Sequence, residues 1–225
     1  MHKVSRDQNL LHSVVFVDGQ PGCGKTLLSA IVASLDRVEL LNYSPEVENL
    51  CILRELNKID EDAVQTMIKI QTDLVLYETM MSRRVNFRLR DLSSAFKDVK
   101  TFTYIKRLFK RGDEVIPNRI ELIKPILHFA VHNLLPVSKP VFLSLKEKAK
   151  FIEVVRHPLY MIIQQTLNHI NWSNNKGSAR QFRIYLEKQI PFTSRNFYKK
   201  FHDLKPVERA ILEIEDFYRL SNKFK

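Results

Sequence analysis

Apolar residues along this chain come in two textures. Four short runs, residues 14–17, 37–43, 125–131 and 151–155, are rich in Val, Leu, Ile and Phe, which is how strands buried on both faces of a sheet read. Between the second and third run the pattern changes to helical steps over 44–124: Leu50, Leu53, Leu56 and Ile59, then Val64, Ile68 and Val75. The tail 196–225 is helical in pattern too, with Val207, Ile211, Ile214, Phe217 and Leu220 spaced to line one face. Strands alternating with helices predict an α/β fold: a central parallel sheet flanked by helices in three layers, with a large helical insertion over 44–124 and a helical segment over 196–225. At 225 residues and 44% hydrophobic content, the chain can bury its core as one domain spanning 1–225. Ligands of such sheets gather beyond the carboxyl ends of the strands, and chemistry is expected there.

The first strand end carries a complete motif. Residues 19–26 read Gly-Gln-Pro-Gly-Cys-Gly-Lys-Thr, a full G-x-x-x-x-G-K-[ST] loop between the run 14–17 and the helix-like 27–33. Gly19, Gly22 and Gly24 let the backbone turn successive N–H groups toward one anion, and the following helix adds its positive dipole end. Lys25 supplies a mobile charge and Thr26 a hydroxyl. Cys23, inside the loop, is read as part of a tight turn and not as a redox centre. A phosphate-bearing ligand in a P-loop architecture is the expectation.

Charge narrows the partners. Thirty-six Lys and Arg against 25 Asp and Glu leave a formal charge of +11, which speeds encounter with any polyanion. The cations are scattered in groups such as Arg83-Arg84, Arg88-Leu89-Arg90 and Lys106-Arg107, without a base-reading motif, so nucleic acid is not the expected partner. A solvated basic surface and an anion-binding face both remain open for them. Two cysteines, Cys23 and Cys51, make neither a disulfide framework nor a metal set. With no signal-like leader and no membrane-length run, a soluble cytoplasmic protein is expected.

The third run delivers His132 and Asn133 to its end, and the fourth delivers Arg156 and His157. If the first, third and fourth strands are neighbours, Lys25, His132 and Arg156 converge on one crevice. None of the strand ends is read as supplying the Asp that holds magnesium in ATP-hydrolysing loops of this class, so no metal is expected. A loop lysine, a histidine and an arginine suit group transfer from a nucleotide neutralised by side chains alone.

These pieces resemble the nucleotide-dependent sulfotransferases. In that family a strand ending in a Thr-His-Leu-Pro type sequence is followed by one ending in Val-x-Arg-[Asn/Asp/His]-Pro. Here residues 131–136 read Val-His-Asn-Leu-Leu-Pro and 154–158 read Val-Val-Arg-His-Pro, with His132 and Arg156 separated by 24 positions. The stretch 81–94 and the tail from Ile190 also look like a bacterial branch of sulfotransferase-like proteins.

The resemblance implies 3'-phosphoadenylyl sulfate as co-substrate, its 5'-phosphosulfate cradled by the loop. Lys25 would stabilise charge on the bridging oxygen, Arg156 would bind the 3'-phosphate, and His132 would remove the acceptor's hydroxyl proton. Where the family adds a serine eight residues past the arginine, Gln164 stands. In other branches a glutamate near the second strand is the base, which makes Glu39 the second candidate. The implied late loop over the nucleotide falls on 176–180. The acceptor is expected to be a hydroxyl compound such as an acidic or neutral saccharide, with Arg83, Arg84, Arg88, Arg90 and Trp172 as possible contacts or else ordinary surface residues. An ATP-dependent small-molecule kinase and a non-catalytic nucleotide-binding or nucleic-acid-docking module are the alternatives.

Overall fold

Four parallel strands form one sheet in the order β2-β3-β1-β4: β1 Ser13–Asp18, β2 Asn42–Tyr43, β3 Ile126–Ala130 and β4 Ala149–Glu153. The computed structural model describes residues 2–6, 10–43, 45–174 and 183–224. Helix α1 (Lys25–Ser34) follows β1, and α2 (Pro45–Glu55), α3 (Glu61–Met80), α4 (Thr101–Leu108) and α5 (Ile116–Ile123) lie between β2 and β3. Helix α6 (Lys139–Leu145) links β3 to β4, and α7 (Pro158–Ser173) and α8 (Pro206–Ser221) complete the order. Among the described residues, no helix is long and apolar enough to cross a membrane.

Alternation along β1 explains the layers. Val14 and Phe16 join Leu127 and Phe129 in a core covered by Val64, Ile68, Leu76 and Met80 of α3 and by Val141 and Leu145 of α6. The Phe16 ring stacks between Phe129 and Phe151, with centroids 5.5 and 4.9 Å away. Val15 and Val17 face the other way and pack with Val32 of α1. Each face thus buries its own apolar set, at about 25 cal/mol for each Å² removed from water, which is why the strands read as continuous apolar runs.

Several elements differ from the sequence expectation. The second strand is two residues long, not 37–43. Val38 makes a lone bridge to Ile126, and the Leu40 N–H is taken by the Tyr104 hydroxyl at 2.7 Å, so ladder bonds give way to side-chain partners. In α2 the buried positions are Val47, Cys51 and Ile52, and Leu50 is only partly buried. In α8 the buried face runs through Ala210, Glu213, Ile214, Phe217 and Ser221, and Val207 and Ile211 point outward. β1 also extends one residue beyond its apolar run, ending in Asp18, so a strand end does carry an aspartate.

Candidate functional site

The sheet's connectivity opens the site. After β1 the chain passes to α1 on one face, and after β3 it passes to α6 on the other, so the loops leaving these neighbouring strands part and leave a crevice. A cavity of about 460 Å³ lies there. Gln20 and Pro21 of the 19–26 loop, Tyr43 and Glu48, His132, and Glu213 of α8 are among its walls.

The loop is fixed by its own sequence. Gly19 has φ +144°, and a β-carbon there would come within 2.7 Å of the Val154 carbonyl oxygen; Gly22 has φ +87°, and its β-carbon would meet Gln164 Cγ at 2.4 Å. Both positions therefore require glycine. Gly24 caps the start of α1 in the left-handed region, and Cys23 is buried against Met161 and Ile214. The buried Asp18 carboxylate accepts the Gly19 N–H at 2.7 Å and the Leu135 N–H at 2.5 Å, tying the loop to the segment after β3. Burial raises its pKa against the pull of those donors and of Lys25. The aspartate is thus spent on backbone donors.

Lys25 Nζ turns back into the loop, donating to the carbonyls of Gly19 and of Gln20, the latter at 3.0 Å. Burial lowers its pKa, and the neighbouring Cys23, Asp18 and Glu48 oppose that shift. Arg156 is exposed beyond β4, donates to the Gly22 carbonyl at 2.8 Å, and lies over the Tyr160 ring at 5.3 Å. Gln164 abuts the same glycine. Thr26 faces away from the cavity, into a cleft of about 60 Å³ between α1 and the segment 92–99. Lys25 and Arg156 thus bond the loop backbone and Gln164 abuts it, but none of the three lines the cavity, whose wall includes His132. Of the expected trio, Lys25 reaches His132 only through space, and Arg156 stands outside on the exposed side of the loop.

The acid–base groups are not equal. His132 stacks near Tyr43, and its pKa is pushed down to about 3 by burial and by the charges of Lys25 and Arg183. An imidazole so reluctant to take a proton is a weak base. Glu39 is buried in a bidentate pair with Arg107, at 2.6 and 2.8 Å, outside the cavity wall. Glu48, in the first turn of α2, lines the cavity and accepts the His132 backbone N–H at 2.8 Å. Burial raises its pKa to about 8, helped by Asp18 and opposed by Arg183 and Lys25. Glu48 was missed in the sequence, where its one signal is position: a carboxylate in the first helical turn after the second strand end.

Other expected residues fall elsewhere. Arg83 pairs with Asp113, Arg84 with Glu46 and Glu78, and Arg88 with Asp91, and none of these arginines, nor Arg90, lines the cavity. Trp172 packs edge-on against Phe201, 5.3 Å between centroids, and is not part of the cavity wall. His157 caps α7, its Nδ1 accepting the Leu159 N–H at 3.3 Å. The 176–180 segment lies outside the described residues. No family model, curated protein or solved structure matches the chain.

Proposed function

We propose that the chain is a sulfotransferase of P-loop architecture, moving a sulfuryl group from 3'-phosphoadenylyl sulfate to a hydroxyl acceptor. The observation that carries the reading is one glycine-fixed loop bonded by a lysine and an arginine and bordering a cavity whose wall includes Glu48, a carboxylate that holds its proton to about 8. The donor's 5'-phosphosulfate would lie on the 19–26 backbone and α1, and its 3'-phosphate against Arg156 and Gln164. Acceptor oxygen attacks sulfur in line as the bond from sulfur to the bridging phosphate oxygen breaks. Lys25 neutralises the charge left on that oxygen, and the acceptor proton passes to ionised Glu48. Glu48 takes the role expected of His132 because it holds a proton to about 8, whereas His132 gives its proton up above about 3. Neutral His132 helps to shape the wall.

The acceptor fits a cavity of drug-like size. Ile52, Phe192, Phe217 and Leu220 on its walls favour a hydroxyl compound with an apolar face over a fully polar saccharide. The complete Gly-Lys-Thr ending of the loop favours a second reading, ATP-dependent phosphoryl transfer. A thermal-shift panel separates the two. Adenosine 3',5'-bisphosphate should raise the melting temperature without added metal, and protection by ATP with magnesium but not by the bisphosphate would replace the sulfotransferase reading with the kinase.

A further inference from the structure

Residues 88–111 combine two properties that the transfer chemistry does not use. The first is outward apolar area. Val99, Phe102 and Phe109 are 76%, 76% and 84% exposed, with Leu89 and Leu92 at 69% and 75%. Single exposed apolar residues are ordinary, but these five fall in one stretch of chain, 89–109. On α4 and its ends, Phe102, Lys106 and Phe109 stand at i, i+4 and i+7, on the side opposite the buried Tyr104. Leu92 and Val99 border the cleft shared with Ala30 and Ser34 of α1, a helix that also exposes Leu27 and Ile31. Lys100 clamps this arrangement by donating to the carbonyls of Ala33, Leu35 and Val38 at 2.9, 2.6 and 2.6 Å.

The second property is charge. The segment 88–111 holds eight Lys and Arg against two Asp. Arg107 turns inward to Glu39, and Lys100 is taken up by α1. Arg88, Arg90, Lys97, Lys106, Lys110 and Arg111 remain exposed around the apolar side chains.

We propose that this face docks on an anionic phospholipid bilayer, with Phe102 and Phe109 entering the headgroup boundary and the six cations meeting lipid phosphates and carboxylates. Apolar tips ringed by Lys and Arg suit that interface. A second copy of the chain is disfavoured because an isologous contact would set the same cations against each other. A nucleic acid would satisfy the cations and leave the aliphatic tips Leu89, Leu92 and Val99 without use.

The test is co-sedimentation with phosphatidylcholine vesicles, with and without about 30% phosphatidylserine. The intact protein should pellet with the anionic vesicles and stay in solution with neutral ones. Phe102→Ser with Phe109→Ser keeps every charge and should weaken vesicle binding about tenfold or more. Lys106→Glu with Lys110→Glu should weaken it comparably, with melting temperatures near that of the parent in both cases because the replaced side chains are exposed. Failure of the parent to bind anionic vesicles would overturn the proposal. Undiminished binding by the Phe102/Phe109 variant would reduce the face to a general polyanion surface. Concentration-dependent dimerisation abolished by that variant would assign it to self-association.

Discussion

Two glutamates flank β2, and their surroundings could hardly differ more. Glu39 is locked to Arg107 by two short hydrogen bonds, with both side chains almost fully buried. Nine residues on, Glu48 accepts one backbone N–H, and Lys25 and Arg183 act on it only through space. With both carboxylate oxygens taken by one guanidinium, Glu39 is part of an architectural ion pair. Glu48 is desolvated with one backbone N–H and no contacting counter-ion to compensate, and holds its proton to about 8. Proximity to a strand end does not separate a structural glutamate from a chemical one; the partner does.

The comparison can be broken at either residue. Glu48→Gln keeps an oxygen to accept the His132 N–H and removes the proposed proton acceptor. Turnover should fall by about 10²–10⁴, and the rise of rate with pH near 8 should vanish from the pH–rate profile. A normal rate in this variant would return the base to His132. The stability signature has a definite sign: native Glu48 keeps its proton to about pH 8 whereas an unfolded glutamate releases it near 4.5, so stability declines as pH rises between those values. Urea unfolding of Glu48→Gln across that window should show a flatter pH dependence.

Glu39→Gln is the opposite case. It leaves the Arg107 guanidinium buried without its counter-charge and should cost about 3–5 kcal/mol in urea unfolding, while chemistry in the surviving folded protein changes little. A loss below about 1 kcal/mol would show that the pair is not the buried anchor described here.

A smaller effect extends the contrast to a buried base. His128 on β3 is fully buried, and burial, with the Lys100 charge, lowers its pKa to about 4. The unfolded chain takes up this proton below about 6.5 and the native chain only near 4, so its share of stability is whole above pH 6.5 and lost as pH falls toward 4. That loss is about 3 kcal/mol, and His128→Leu should remove it from the acid limb measured by thermal unfolding. An unchanged limb would place the acid sensitivity in other groups.

Legibility in the sequence followed the range of the interactions. β1, the 19–26 loop and α1 are specified by adjacent residues and were readable together. Arg156 was legible as the residue just beyond the fourth apolar run, but its contact with Gly22, and that of Gln164 from α7, depend on β4 lying beside β1, a pairing the local sequence does not state. Asp18 was hidden by its polarity, because the strand continues past the apolar run when backbone donors meet the carboxylate. The 37–43 run looked like a strand, yet its Leu40 N–H is claimed by Tyr104, which is 64 residues distant. Glu48 was illegible for the same reason: its bond to His132 crosses 84 positions, and neither residue's neighbours encode the meeting.

The central claim is that Arg156 and the 19–26 loop read both ends of a doubly phosphorylated adenosine. Titration calorimetry of adenosine 3',5'-bisphosphate and adenosine 5'-monophosphate, on the parent chain and on Arg156→Ala, tests it most directly. The account predicts that the parent prefers the bisphosphate by about tenfold or more and that Arg156→Ala erases that preference while retaining the monophosphate. Equal affinity of the parent for the two nucleotides would contradict it.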